Sequence, residues 1–534
     1  MQETLYYNGH IHCGDGQTCT ALRVREGRIF HIGGPELLKE AQGIPAVDLH
    51  GAWVVPGFND SHLHLLDVGR GLGAIDLFGA TSPADMAARC ADFIRRRNIP
   101  AGRALYGNGW NQDKFDGAPV LPTRADLDAL VPDHPLLLDR VCGHIMVCNT
   151  AALKAAGITA HTPVPEGGGL DLGPDGQPNG LLRDNAIPLV RAILPGESVE
   201  DIKSAFVAAC ARAVSKGLTT VQTCDIRSRD WPLVLQALRE LDEADLLPLR
   251  LTLQCALDTP EDLRAFLDAD IENGRMWKVG PLKLFLDGSL GARTAWMRRD
   301  YADEPGQRGL CCLAYDTALT MARMADEAGM QVVAHAIGDA AVDEMLNVIE
   351  ALCPGGENPR RHGVVHCQIT TRDQWDRFAA LHAGAMVQPV FLDYDHTIVT
   401  ARCGADLAAT SYAFGTAVRL GVPVSYGTDA PVEDLDPLRN YYCAVTRRPL
   451  AGGGPWQPEE CVTRAEALAC YTKGSAFNEF AEGEKGMLLP GYLADFVVLD
   501  GDLLTVPEEQ LLQLRVLATV VGGREVYTAP GALV

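Results

Sequence analysis

Past residue 215 the chain repeats one pattern, a short apolar run followed by a stretch of helical composition. The runs are 219–224, 249–255, 282–286, 331–335, 363–367, 385–390 and 422–426. Strands alternating with helices are the pattern of a parallel sheet. An eighth run, 54–64, lies far upstream and opens the series. Eight parallel strands with intervening helices specify a (β/α)8 barrel, an α/β fold whose chemistry sits at the C-terminal ends of the strands.

The spacing between the first two runs is out of scale. From His64 to Thr219 the chain is far longer than the roughly 30 residues of a βαβ unit. This predicts an inserted subdomain over about residues 70–205 that overhangs the mouth of the barrel. Its glycine-rich turns, Gly167-Gly168-Gly169 and Gly173-Pro174-Asp175-Gly176, fit a hairpin. Both ends of the chain read as short strands. Leu22-Arg23-Val24-Arg25 and Arg28-Ile29-Phe30-His31-Ile32 flank the turn Glu26-Gly27, and 516–521 reaches 525–527 through Gly522-Gly523. The reading is one small β-sandwich domain from residues 1–53 and 485–534, around a barrel at 54–484.

Composition excludes some classes. A net charge of −23 argues against nucleic acid or an anionic membrane surface as partner. No apolar run approaches the ~18 residues of a membrane span, and the N-terminus lacks the basic and apolar segments of a signal peptide. The 16 cysteines are scattered without a C-x-x-C, and several sit in apolar strand-like runs as small hydrophobes. That usage predicts a reducing, cytoplasmic setting. The assembly state is left open, a homo-oligomer included.

The run 54–64 ends in His62-Leu63-His64. Alternate strand residues share a face, so the two imidazoles point the same way, about 6–7 Å apart at Cα. They can converge on one ion at roughly 2.0–2.1 Å. Other strand ends supply partners: His335, His366 and Asp429 close three of the runs, and Lys283 sits inside a fourth. A buried unpaired ammonium is costly, so Lys283 either pairs with Asp287 or belongs to the site.

With Pro56-Gly57-Phe58-Asn59-Asp60-Ser61-His62-Leu63-His64, the run Lys283-Leu284-Phe285-Leu286-Asp287-Gly288-Ser289-Leu290-Gly291, His335-Ala336-Ile337-Gly338-Asp339, His366, Gly427-Thr428-Asp429 and Pro490-Gly491-Tyr492-Leu493-Ala494-Asp495, the chain resembles the amidohydrolase superfamily. More narrowly it resembles the branch that includes N-substituted formamide deformylases and exoenzyme-regulator-like proteins. The resemblance implies a binuclear centre: His62, His64 and Asp429 on one divalent ion, His335 and His366 on the other, with zinc foremost. Lys283 would bridge them as a carbamate formed with CO2; a mononuclear site without it is the alternative. Asp60 would orient a ligating imidazole.

The implied reaction is hydrolysis of a C–N bond other than a peptide bond, in a small-molecule amide such as an N-acyl or N-formyl amine. Metal-activated water attacks, and Asp429 serves as base and then acid. A lyase or isomerase on the same scaffold, or a non-catalytic protein, are the alternatives. Candidate substrate contacts are Trp110 and His144 in the insertion, and Asp287 and Arg293 after Lys283. Each has a plain structural alternative: a packed Trp110, a structural His144 and an ordinary salt bridge for Arg293.

Overall fold

The computed structural model describes residues 3–40, 43–117, 119–140, 144–165, 167–194 and 196–532. The chain divides into two compact units, Met1–Asp67 with Ala209–Val534, and Val68–Ala208.

The first unit contains an eight-stranded sheet with its strands in sequential order. We label them β1 (Phe58–Leu63), β2 (Leu218–Arg227), β3 (Arg250–Ala256), β4 (Trp277–Phe285), β5 (Val332–Ala336), β6 (Gly363–His366), β7 (Gly384–Val387) and β8 (Val424–Tyr426). Every pairing along the row is parallel. Helices such as Trp231–Glu243 and Asp339–Leu352 connect successive strands and bury one apolar face each. The resulting fold is a (β/α)8-type barrel.

Between β8 and β1 the ring closes through the site itself. Asp429 N donates to His62 O at 2.8 Å and His64 N to Ala430 O at 2.8 Å. The Asp60 carboxylate accepts from Thr428 N at 3.0 Å and Thr428 Oγ1 at 2.7 Å. Gly427 is required at this seam, because a Cβ there would lie 2.6 Å from His62 N and 2.9 Å from the Asp60 carboxylate.

The run read as one strand over 54–64 is two. Trp53–Pro56 pairs antiparallel with Phe496–Leu499 in a terminal sheet, and only Phe58–Leu63 joins the barrel. Gly57 is the joint, where a Cβ would meet Thr219 Oγ1 at 2.2 Å. Burial is continuous from Val54 to Leu63, across the joint, so hydrophobicity alone does not mark the break.

The two ends of the chain form a four-stranded and a six-stranded sheet. Tyr6, Leu22 and Val24 of one share a core with Val54, Phe496, Val498 and Val520 of the other. The turn Glu26-Gly27 has φ of 51° and 77°, left-handed at both positions as a two-residue hairpin requires.

The second unit carries its own six-stranded sheet. In it Gly168–Leu172 pairs antiparallel with Pro178–Asp184. Its core includes Met86, Trp110, Leu127, Leu136 and Leu181. Among the described residues every cysteine is a free thiol, and no helix is long and apolar enough to cross a membrane.

Candidate metal centre

Five of the six ligands read from the sequence come together at the C-terminal ends of β1, β5, β6 and β8, and Lys283 lies beneath them on β4. His62 Nε2 and His64 Nε2 lie 3.4 and 3.3 Å from the same atom, Asp429 Oδ1. Two donors each about 2.05 Å from a tetrahedral ion are separated by roughly 3.3 Å. The three atoms thus have the spacing of neighbouring corners of a coordination tetrahedron. Ligand atoms of His62, His366 and Asp429 all fall within 4.8 Å of one another. The His335 and His366 rings stand 4.4 Å apart and the His62 and His366 rings 5.5 Å apart.

What turns the lone pairs inward is the partner of each other ring nitrogen. His62 Nδ1 donates to Gln254 Oε1 at 2.7 Å, and the Gln254 amide is held by donating to Ser61 O at 3.0 Å. His366 Nδ1 donates to Gln388 Oε1 at 2.8 Å. Each leaves Nε2 unprotonated, the form that binds a cation. In His335 the order is reversed: Nε2 donates to Gly288 O at 3.0 Å, leaving Nδ1. His64 Nδ1 lies 3.3 Å from Cys224 O and 3.2 Å from Arg227 Nη2. A carbonyl only accepts and a guanidinium only donates, so Nδ1 serves one at a time; donation to Cys224 O frees Nε2.

Burial sets the electrostatics. It drives the His62 and His366 imidazoles well below their usual range, with Lys283 adding to both, and His335 down to about 3. Burial also lowers the Lys283 ammonium to about 8, although Cys224, Asp429 and Asp287 work against that. All these shifts favour neutral nitrogen. Lys283 is 1% exposed, and its Nζ, His62 Nε2 and Asp429 Oδ1 have no hydrogen-bond partner. Three orphaned polar atoms in one barrel mouth are the mark of a group that belongs between them. Neutral imidazoles, a carboxylate and a lysine fit a divalent cation of the zinc type.

Two of the candidate ligands have left-handed backbone. His366 and Asp429 have φ of 84° and 57°. Left-handed geometry in a non-glycine residue costs on the order of 1–2 kcal/mol, and here it aims both side chains into the centre.

The supporting residues were not read from the sequence. Gln254 and Gln388 are single amides within apolar runs near strand ends, and a buried amide needs a partner, which is the available signal. Arg227 and the carbonyls of Cys224 and Gly288 carry no such mark.

Four expected substrate contacts are otherwise engaged. Trp110 is fully buried in the core of the second unit, with Nε1 donating to Leu138 O at 2.8 Å, so it packs rather than lines a pocket. His144 is exposed and its Nδ1 lies 2.8 Å from Asp184 Oδ1; its neighbour in the motif, Gly143, lies outside the described residues. The Asp287 carboxylate accepts from the backbone N–H groups of Trp296, Ile337 and Gly338 at 2.9, 3.1 and 2.8 Å, pinning the loop after β5. Burial raises it to about 7. Arg293 is spent on Asp303 at 2.9 Å and Glu304 at 3.2 Å.

A barrel of this order with histidines and a carboxylate converging at its mouth defines a metal-dependent hydrolase scaffold. The amidohydrolase family model matches residues 46–527. The chain is 35% identical to YtcJ of Bacillus subtilis (strain 168), over 98% of this chain and 99% of that one. It is 26% identical to the N-substituted formamide deformylase of Arthrobacter pascens, over 100% and 99% of the two chains. An uncharacterized metal-dependent hydrolase from Pyrococcus furiosus superposes with a TM-score of 0.79 at 29% identity, covering 94% of this chain and 100% of that one. The protein belongs to the amidohydrolase family.

Proposed function

We propose that the protein hydrolyses the C–N bond of a small-molecule amide, an N-acyl or N-formyl amine, at a centre of up to two divalent ions. The observation that carries this reading is the pair of 3.3–3.4 Å separations from Asp429 Oδ1 to the two Nε2 atoms, with Asp429 Oδ1 and His62 Nε2 left without a hydrogen-bond partner. A divalent ion in that position would polarise the substrate carbonyl and bring a water toward ionisation near pH ~7. His62, His64 and Asp429 would hold one ion and His335 with His366 a second. Lys283, as the carbamate formed when its neutral amine adds CO2 and loses a proton, would bridge them.

Asp429 is suited to the proton traffic. Its carboxylate lies beside both His62 and His64 and is almost fully buried, so a proton taken from water would be kept from bulk solvent and be at hand for the leaving amine. Asp60, held by Thr428 and by His62 N at 3.1 Å, positions the seam that carries His62, His64 and Asp429. The name of the Arthrobacter pascens relative supports an amide substrate.

The test is a screen of N-acyl and N-formyl amines for amine release, with metal content measured on the same preparation. Release should stop on chelation and return on adding zinc. Full turnover by metal-free protein would sink the proposal.

A further inference from the structure

Of the four candidate ligand histidines, three have their tautomer settled by one partner: Gln254 for His62, Gln388 for His366 and Gly288 O for His335. His64 does not. Its Nδ1 lies 3.3 Å from Cys224 O and 3.2 Å from Arg227 Nη2, and the two neighbours demand opposite forms of the ring. A carbonyl accepts, so it calls for a proton on Nδ1 and leaves the Nε2 lone pair open. A guanidinium offers only donors, so it calls for a bare Nδ1 and puts the proton on Nε2. That proton stands on the side of Asp429 Oδ1, 3.3 Å from Nε2, where a ligating nitrogen needs its lone pair.

Both neighbours come from the end of β2, where the register with β3 shifts between Thr223 and Ile226. Such an irregularity re-aims side chains at a strand end. Arg227 Nη2 has a second acceptor within reach, Asp67 Oδ2 at 3.6 Å. Asp67 lies in the first turn of the helix Leu65–Gly73, which follows His64 directly. The start of that helix is tied to the same strand end, since Leu65 N donates to Thr223 Oγ1 at 2.8 Å and Leu66 N to Asp225 Oδ2 at 3.0 Å. The backbone of Asp67 is thereby fixed beside Arg227. Its 3.6 Å separation exceeds the roughly 2.7–2.9 Å of a charge-assisted N–H···O bond, so the guanidinium is not drawn fully onto the carboxylate while it reaches His64. A divalent cation on the far side of the imidazole would repel the guanidinium toward Asp67.

We propose that Arg227 and Asp67 are positioning residues that form a latch on His64. In the metal-free protein Arg227 donates to Nδ1 and keeps the proton on Nε2. On metal uptake the imidazole retains one proton, which passes through water from Nε2 to Nδ1 and is donated to Cys224 O, while the guanidinium moves onto Asp67. This rests on His64 being a ligand of the proposed centre, and not on which bond that centre hydrolyses.

Zinc affinity of the full chain, measured by competition with a chromophoric chelator, should rise about three- to tenfold in Arg227→Met, the worth of one hydrogen bond that uptake no longer breaks. It should fall by a similar factor in Asp67→Asn. Loss of a single charge near the ion would move affinity in the same two directions, so the double variant decides. Without Arg227 there is no guanidinium for Asp67 to receive, and Arg227→Met with Asp67→Asn should bind zinc as Arg227→Met does; two independent charges would add. The tautomer is the second readout. Spectra of protein labelled with 15N at histidine, with the His64 signals identified by their loss in His64→Asn, should place the proton on Nε2 in the metal-free native protein. They should place it on Nδ1 in metal-free Arg227→Met and in the zinc-loaded native protein. Arg227→Leu serves if the methionine variant fails to fold. A metal-free native His64 already protonated at Nδ1, or additive effects in the double variant, would overturn the latch and leave the metal centre standing. Absence of zinc binding by the native protein would refute the centre and the latch together.

Discussion

Replacing Gln254 with leucine removes one hydrogen-bond acceptor 2.7 Å from His62 Nδ1 and changes side-chain volume little. Gln254 is fully buried, and so is His62, so no bulk water is at hand to replace the lost partner. Two costs follow. In the metal-free protein the Nδ1–H is left unsatisfied, at about 1–3 kcal/mol. In the metal-bound protein the tautomer and ring orientation are no longer held, and loss of such a partner typically weakens metal affinity 10–100-fold, about 1.4–2.7 kcal/mol. The assay is competition for zinc against a chromophoric chelator, paired with denaturant unfolding of the apo form. A control separates affinity from stability. Gln222 is as buried and donates to Ser475 O at 2.9 Å and Asn59 Oδ1 at 3.3 Å, away from the histidines. Gln222→Leu should lower stability by a similar amount and leave zinc affinity alone. If Gln254→Leu binds zinc within twofold of the native protein, the claim that this amide orients a ligand is wrong.

Lys283→Ala should lower zinc occupancy and nearly abolish turnover, with partial recovery on adding a short carboxylic acid; full occupancy at one ion per chain would favour the mononuclear form. Trp110→Ala, in the core of the second unit, should destabilise the protein by about 3–5 kcal/mol in denaturant titrations, and an unchanged midpoint would remove it from the core. Glu479 is fully buried, which alone would raise its pKa, yet Lys485 at 2.7 Å and Lys278 at 3.3 Å bring it down to about 2. Its stabilisation is therefore complete above the unfolded value of about 4.3 and lost as pH falls toward 2. Burial simultaneously lowers the Lys485 ammonium, so the contribution is at most about 3 kcal/mol. Stability measured from pH 6 to 2.5 should fall more steeply in the native protein than in Glu479→Gln, and parallel curves would discard the network.

The eight barrel strands and the candidate cluster of His62, His366 and Asp429 were legible because both are local signals. Parallel strands are buried on both faces and read as short apolar runs, and a histidine or aspartate ending such a run stands out against its surroundings. The hairpin at Glu26-Gly27 was legible for the same reason, since its turn needs residues that tolerate left-handed backbone. The break at Gly57 was not, because Trp53–Pro56 and Phe58–Leu63 belong to different sheets while burial runs unbroken from Val54 to Leu63. Partners distant in sequence decided the rest. Gln254 meets His62 across 192 positions and Asp60 meets Thr428 across 368. Asp287 looked like a substrate contact until three backbone N–H groups, from Trp296, Ile337 and Gly338, were seen to claim it. Sequence alone determines which residues can ligate, through their chemistry and their place at strand ends. Only tertiary structure decides which imidazole nitrogen is left free to bind and which carboxylate already accepts backbone N–H groups, because a hydrogen bond depends on distance in space and not along the chain.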